Sequence, residues 1–287
     1  MLLTFYIVTL SLILFFTLTA WIGRKREVVV RGLTLIALQN LTCLALWIGY
    51  PAFRIYAALV LAAGLLELVY HYRSVRPGRY ANVLIVVAVL TSAVLFLEAE
   101  RFAVYVLPIG LALAVYAFWG PAHQVRSPTF GALFAVGVIA LGAGCLSLMA
   151  ENGIAPVVTF LLLLQLNDAF GLLAGKRFGR TKLFPRISPN KTLEGYIGGA
   201  LGVLAGILLL NGWIHTLSGT SVGKQLLIVC FILVFGNFGD LLFSALKRKL
   251  GIKDFGNLLP GHGGILDRYD NILFGAPLFA LLWGLLP

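Results

Sequence analysis

The chain has 287 residues, of which 60% are hydrophobic and 11% are charged. A water-soluble globular domain carries roughly 25% charged residues, so this composition excludes that class and indicates an all-α, polytopic helical membrane protein. The formal net charge of +11 is also typical of nucleic-acid-binding proteins, but the placement of the basic residues favours a membrane topology signal and predicts no nucleic-acid partner.

Apolar runs long enough to cross a bilayer recur along the chain. Since about 20 apolar residues span the hydrocarbon core, we predict ten spans, at roughly 2–22, 32–50, 55–70, 80–97, 102–119, 129–149, 155–175, 195–214, 225–246 and 271–286. Pro51 and Arg54 leave little room between the second and third runs. A single re-entrant pair at that point is the alternative, and it would reduce the bundle to eight spans.

The basic residues predict the orientation. The alternate loops 23–31, 71–79, 120–128, 176–194 and 247–270 hold 19 Lys and Arg residues, whereas the opposite set holds three. By the positive-inside rule the 19 face the cytoplasm, so the N-terminus lies outside the inner cell membrane. The same residues attract anionic membrane lipids.

The two parts of the chain differ in polarity. The spans before residue 150 carry no aspartate, whereas two long polar loops interrupt the spans after it. We therefore predict an N-terminal scaffold at 1–150, which also offers oligomer contacts, and a C-terminal catalytic membrane region at 151–287.

A first polar cluster, Gln165, Asn167 and Asp168, lies inside the seventh predicted span. An aspartate at the centre of a membrane helix costs about 2.5–3.5 kcal/mol on insertion scales, so it normally faces a cavity or a partner. The alternative is an interhelical hydrogen bond with a purely structural role.

A second cluster is the loop 175–195, which contains six basic residues. Ser188 and Lys191 lie in a turn, and Thr192 with Glu194 marks the start of the next helix. A basic turn at a helix start is typical of phosphate binding. For the other basic residues of this loop, an ordinary positive-inside loop is an equally good interpretation.

The third and densest cluster is 239–271, which contains four of the five aspartates. Asp240, Ser244 and either Lys247 or Arg248 share one helix face by their spacing. Asp267 and Asp270 are three residues apart, close enough to converge on one cation or on Arg268. Glycines around His262 let the backbone approach a phosphate or a metal.

Oxygen ligands with no nearby cysteine and one histidine indicate a hard cation such as Mg²⁺ rather than zinc. His262 itself has three open roles: metal ligand, phosphate donor or loop-stabilising residue.

These residues resemble the signature of the phosphatidate cytidylyltransferases (CDP-diacylglycerol synthases). The resemblance is carried by Ser244, Lys247, Arg248, Lys253-Asp254, Gly256, Leu259-Pro260, His262-Gly263-Gly264, Asp267-Arg268 and Asp270. Ser188-Pro189 with Lys191-Thr192, and Asn167-Asp168, are similar to other motifs of that family. Tyr269, Asn271 and Phe243 depart from its usual pattern.

The resemblance implies a reaction of CTP with phosphatidate, or a related lipid phosphate, in a cytoplasm-facing active-site funnel, and it implies a homodimer. On this hypothesis Asp240, Asp267, Lys247 and Arg248 are catalytic. Mg²⁺, alone or with a second cation, is held by Asp240 and Asp267, with Asp168 and Asp270 in support. The predicted substrate-binding residues are Ser188, Lys191, Thr192, Ser244, Lys253, His262, Gly263, Gly264 and Arg268.

Two other functions stay open at this point. A CTP-dependent lipid kinase would transfer the γ-phosphate to a polyprenol-type alcohol with comparable residues. A transporter or inactive scaffold is the second alternative, although transporters often show interrupted helices in two corresponding halves, whereas here the polar features crowd into one half.

Overall fold

The computed structural model describes residues 2–22, 26–75, 128–185, 188–212, 220–256, 258–259 and 263–285, together with positions 86, 90 and 217. The helices in these ranges are α1 (Leu2–Ile22), α2 (Arg26–Ile48), α3 (Tyr50–Val75), α4 (Pro128–Glu151), α5 (Ile154–Phe178), α6 (Leu193–Gly212), α7 (Val222–Phe235), α8 (Phe238–Leu250) and α9 (Leu266–Leu285). Two short strands, β1 (Lys182–Phe184) and β2 (Ser188–Thr192), connect α5 to α6. The predicted spans 80–97 and 102–119 lie outside the described residues.

The predicted all-α, polytopic membrane architecture is confirmed. Within the described ranges, five segments are long and apolar enough to cross a membrane: Val29–Ile48, Tyr50–Tyr72, Ile154–Phe178, Leu193–Gly212 and Val222–Arg248. Leu2–Phe15 and Ala135–Glu151 are shorter apolar helical segments. Exposed leucines and aromatic residues along these helices form the surface that a bilayer would cover.

The second and third predicted spans are two separate long helices. Only Gly49 separates α2 from α3, and its φ of 122° lies in a region that residues with a Cβ rarely adopt. Pro51 lies in the first turn of α3, where a missing backbone N–H costs no helical hydrogen bond. The re-entrant alternative is therefore not needed to accommodate the proline.

The ninth predicted span, 225–246, lies within the candidate span Val222–Arg248, but its helix is interrupted. Helix α7 ends at Phe235, Gly236 and Asn237 form a turn, and α8 begins at Phe238. Hydropathy alone does not reveal this break, because apolar residues continue on both sides of it. Beyond the break, α8 packs against α9.

The hairpin between α5 and α6 is the second feature that the helical prediction did not include. Its antiparallel register pairs Lys182 with Thr192 and Phe184 with Ser188. The Glu194 carboxylate accepts hydrogen bonds from the backbone N–H groups of Arg180 at 3.0 Å and of Thr181 at 3.2 Å. These contacts tie the hairpin to the predicted start of α6 and bring β2 beside the C-terminal part of α5.

Helices α5 and α6 pack closely because glycines line the facing side of α6. A Cβ at Gly202 would lie 2.6 Å from the Leu166 carbonyl oxygen and 2.8 Å from the Phe170 Cβ. Small residues at such crossings let two membrane helices approach, since packing rather than the hydrophobic effect holds them together in lipid. This packing fixes α5, and with it Asp168, relative to β2.

We expect Gly202→Ala to lower the free energy of unfolding by about 1–3 kcal/mol, because the added methyl group overpacks a contact with backbone. Denaturant titration in detergent micelles measures this change. Gly212→Ala is the control, since it adds the same methyl group at the end of the same helix, where a Cβ meets nothing within 4 Å. Equal stabilities of the two variants would contradict the packing argument.

Candidate active site

The end of β2 and the start of α8 meet through an ion pair. Lys191 Nζ lies 3.0 Å from Asp240 Oδ2. The same ammonium group donates to the Asn237 carbonyl oxygen at 3.1 Å and to its side-chain oxygen at 3.3 Å. Asn237 belongs to the turn between α7 and α8, and its carbonyl oxygen also accepts from the Leu241 N–H at 3.4 Å, so Lys191 contacts the start of α8.

Asp240 is held from two further directions. Ser244 Oγ, one helical turn later, donates to Asp240 Oδ1 at 3.2 Å, which confirms that these two residues share a face of the helix. The Asp240 backbone N–H donates to the Asn271 side-chain oxygen at 2.7 Å. The Asp240 side chain nevertheless keeps 34% of its surface exposed, so it is open to a ligand.

Asp168 joins this cluster from α5. Its carboxylate accepts a hydrogen bond from Asn167 Nδ2 at 3.4 Å and interacts electrostatically with Lys191 and Asp240. The Asn271 side chain contacts it as well. Asp168 is exposed even though it lies within a candidate span, so it faces an opening beside the other polar groups.

Asp267 forms a second, more deeply buried centre at the start of α9. Its Oδ1 accepts from Lys247 Nζ at 2.7 Å, and only 1% of the Asp267 side chain and 10% of the Lys247 side chain is exposed. Its Oδ2 accepts from the backbone N–H groups of Phe255 at 2.8 Å and Gly264 at 2.9 Å. The segments 251–256 and 263–265 therefore meet at this carboxylate.

Asp270 links the two centres. It is buried, accepts a hydrogen bond from the Asn271 backbone N–H at 2.7 Å, and interacts electrostatically with Asp240 and Lys247. Arg268 adds a further electrostatic contact. Four predicted acidic residues and two predicted lysines thus occupy one continuous polar region at the ends of α5, α8 and α9.

The structure places the other predicted residues around this region or away from its centre. Arg248, Lys253 and Arg268 are exposed, and Ser188 is half-buried at the start of β2. Gly263 has a φ of 85°, which favours glycine, and its carbonyl pairs with the Leu259 N–H at 3.0 Å. His262 lies outside the described residues.

Thr192 makes the capping contact that its predicted place at the helix start indicates. Its hydroxyl accepts a hydrogen bond from the Gly195 N–H at 3.2 Å, and the residue is only 3% exposed. This hydrogen bond caps the first turn of α6. The predicted substrate contact of Thr192 stays a prediction.

The four carboxylates outnumber the two lysines that pair with them, so an added cation would improve the charge balance. In the ranges that the structure describes, no three His, Cys, Asp or Glu side chains already form a metal-binding group. Mg²⁺ is commonly bound by one or two carboxylates, with substrate phosphates and water completing its six ligands. Asp240 with Asp168 fits that mode better than Asp267, because the Asp240 side chain is 34% exposed whereas the Asp267 side chain is 1% exposed.

Sequence reasoning missed Glu67 of α3. Its carboxylate accepts hydrogen bonds from the backbone N–H groups of Ile265 and Leu266, each at 2.9 Å, and the residue is 6% exposed. A lone acidic residue inside an apolar run is a recognisable signal. It shows that the N-terminal region supplies a contact to the loop beside the acidic cluster.

Comparisons with known proteins show what this chain resembles. A model of the cytidylyltransferase family matches residues 29–286. The phosphatidate cytidylyltransferase of Bacillus subtilis is 42% identical over 135 residues, which cover 47% of this chain and 49% of that protein. The enzyme of the same name from Thermotoga maritima is 39% identical over 144 residues, covering 49% and 53%.

A third relative is the uncharacterized protein YnbB of Escherichia coli. It is 40% identical over 160 residues, covering 55% of this chain and 53% of that protein. The chain spans about half the length of the curated relatives it matches.

The Lys247–Asp267 pair generates a stability prediction. Lys247→Met should lower the free energy of unfolding by about 3–5 kcal/mol, because it leaves a buried carboxylate without its counter-charge. The double variant Lys247→Met/Asp267→Asn should lose clearly less than the sum of the single changes, since it removes both charges. Denaturant titration of the three variants in micelles measures the coupling.

Arg248→Met is the control for this series, because Arg248 is the next residue of the same helix and is exposed. We expect its stability to stay within about 0.5 kcal/mol of the unmodified protein. Additive losses in the double variant would contradict a direct pairing of Lys247 with Asp267.

Proposed function

The chain belongs to the cytidylyltransferase family, and we propose that it transfers a cytidylyl group from CTP to a lipid phosphate, with phosphatidate as the first candidate acceptor. The observation that carries this proposal is the position of the acidic cluster. Asp168, Asp240 and Asp270 lie together with Lys191 and Lys247 in a chain that is otherwise apolar. Phosphoryl-type chemistry needs such charges, and a lipid substrate explains their place among membrane helices.

In the proposed reaction an oxygen of the lipid phosphate attacks the α-phosphorus of CTP. A new P–O bond joins the lipid phosphate to the cytidylyl group. The bond between the α-phosphorus and the oxygen that it shares with the β-phosphorus breaks. Pyrophosphate leaves with that electron pair, and CDP-diacylglycerol stays in the membrane. Because the substrate supplies the nucleophile, the protein needs no serine or cysteine nucleophile, and its tasks are positioning and charge stabilisation.

The lysines and the loop supply the positive and hydrogen-bonding groups of this scheme. Lys191 lies at the open side of the cluster beside Asp240, where it is placed to bind a phosphate. The exposed Arg248, Lys253 and Arg268 offer further charge for the triphosphate. The phosphate contact of Gly263 and Gly264 stays a prediction, since the Gly264 N–H donates to Asp267.

Asp240 and Asp168 are the residues that we propose to hold Mg²⁺, with Asp270 in support. When bound, the ion would neutralise negative charge on the phosphates as it develops. Asp267 acts in this scheme by fixing Lys247 and the loop, and it becomes a ligand only if Lys247 moves away. A second cation would find its place beside Asp270.

The basic loops favour a cytoplasmic site in the inner cell membrane, with the N-terminus outside. CTP would then enter from the cytoplasm, while the lipid would approach laterally between helices. A homodimer remains a prediction from the family resemblance.

The decisive experiment supplies purified protein with phosphatidate, Mg²⁺ and CTP labelled on either the α- or the γ-phosphate. We expect the α-label to appear in the lipid, pyrophosphate to be released, and no product to form without the divalent cation. A panel of lipid phosphates and a polyprenol then identifies the acceptor. Transfer of the γ-label would instead establish a lipid kinase, and no transfer of either label would contradict an enzymatic role.

Asp240→Asn should lower the rate of product formation by about 100- to 1,000-fold, because the site loses a charge that orients Lys191 and the proposed cation. The assay is transfer of the α-label in nanodiscs, with the melting temperature as a check on folding. Glu151→Gln removes an exposed carboxylate at the end of α4 and should keep the unmodified rate. Near-full activity of Asp240→Asn would refute the assignment of Asp240.

A further inference from the structure

Glu67 reaches the acidic region from the part of the chain that the sequence assigns to the scaffold. It lies on α3, yet its two carboxylate oxygens accept from consecutive backbone N–H groups, Ile265 to Oε1 and Leu266 to Oε2, both at 2.9 Å. These N–H groups belong to the first turn of α9 and its approach, where a helix leaves its donors without internal partners. A negative charge is stabilised at that end of a helix.

The Glu67 carboxylate is adjacent to the Asp267 carboxylate. Together they accept hydrogen bonds from four backbone N–H groups of one loop, those of Phe255, Gly264, Ile265 and Leu266. Asp267 lies on α9 itself, whereas Glu67 lies on another helix. Glu67 therefore ties the start of α9 and the backbone before it to α3, in addition to the tie that Lys247 makes from α8 to Asp267.

The backbone at Gly256 and Gly264 fits closely around the Glu67 carboxylate. A Cβ at Gly264 would lie 2.4 Å from Glu67 Oε2, and a Cβ at Gly256 would lie 2.6 Å from Oε1. Both loop segments thus approach the carboxylate more closely than any other residue type would permit. Gly64, one turn earlier on α3, faces Leu266 at an ordinary contact distance of 3.5 Å.

We propose that Glu67 is a positioning residue for the active site: it anchors the start of α9 and the backbone at 255–256 and 263–265 so that Asp267 holds Lys247 and Asp270 faces Asp240. The proposal rests on the proposed function insofar as it concerns catalysis. The anchoring itself is a property of the fold. Two kinds of measurement therefore separate the two claims.

The first measurement is independent of activity. In Glu67→Gln the side-chain amide has one acceptor oxygen instead of two, and its NH₂ group faces a backbone donor. Hydrogen–deuterium exchange in nanodiscs should show the Ile265 and Leu266 amides exchanging roughly tenfold faster or more than in the unmodified protein. Amides of α6, far along the chain from this contact, should exchange at the unmodified rate.

The second measurement is kinetic and uses the α-labelled CTP assay. We expect Glu67→Gln to lower kcat by about 10- to 100-fold, because small displacements of catalytic groups are costly, with a much smaller change in KM for CTP. The double variant Glu67→Gln/Asp267→Asn should have a kcat close to that of Asp267→Asn alone, since both residues act through the same stretch of backbone. Glu151→Gln controls for removal of an acidic residue elsewhere in the N-terminal region.

Unchanged amide exchange in Glu67→Gln would overturn the anchoring, whatever the activity of the unmodified protein. Faster exchange with kcat retained would overturn the positioning role alone.

If Glu67→Gln does not fold, Glu67→Asp replaces it, because this variant keeps the charge but shortens the reach by one methylene group. Full activity of Glu67→Asp, or failure of both variants to fold, would then assign Glu67 to folding rather than to positioning. Absence of label transfer by the unmodified protein would contradict the proposed function and leave the exchange result standing.

Discussion

A buried charge is tolerated in a protein interior only if a counter-charge and hydrogen bonds replace the water that it loses. Asp267 meets this condition completely, because Lys247 occupies one oxygen and two backbone N–H groups occupy the other. Since those donors come from α8 and from the loop before α9, satisfying one carboxylate determines how both helices and the loop are arranged. The open part of the cluster, around Asp240, depends on this closed part for its position.

The break between α7 and α8 also helps to position a charged group of the candidate site. The turn at Gly236 and Asn237 places the Asn237 carbonyl oxygen at the start of α8, where Lys191 binds it at 3.1 Å. The lysine is thereby held beside Asp240, while strand β1 stays exposed. An interrupted helix within a membrane is tolerated where it borders a polar cavity, and this interruption lies where Asp168, Asp240 and Lys191 meet.

The sequence predicted local features well and long-range contacts poorly. Composition identified the membrane class, capping residues placed the start of α6, and helical spacing predicted the contact of Ser244 with Asp240. The partners of the charges were not predictable, because Lys191 reaches Asn237 across 46 positions and Glu67 reaches Leu266 across 199. Such pairings depend on how helices pack, and a single apolar sequence carries little information about packing in lipid. The predicted division at residue 150 is not tested by the fold.

The buried Asp267 and the partly exposed Asp240 differ in how they would take part in binding a soluble nucleotide in the proposed reaction. A site that held all its carboxylates bare would suffer strong repulsion before any substrate arrived. Here Lys191 and Lys247 each neutralise one acid, which leaves Asp168 and Asp270 to be balanced. A triphosphate brings further negative charge, so it binds favourably only together with a cation, or when it draws Lys191 away from Asp240. Withdrawal of Lys191 would free a carboxylate oxygen of Asp240 for the cation at the exposed side of the cluster. In the proposed reaction nucleotide, cation and lipid phosphate would have to meet there, so substrate binding itself would complete the site.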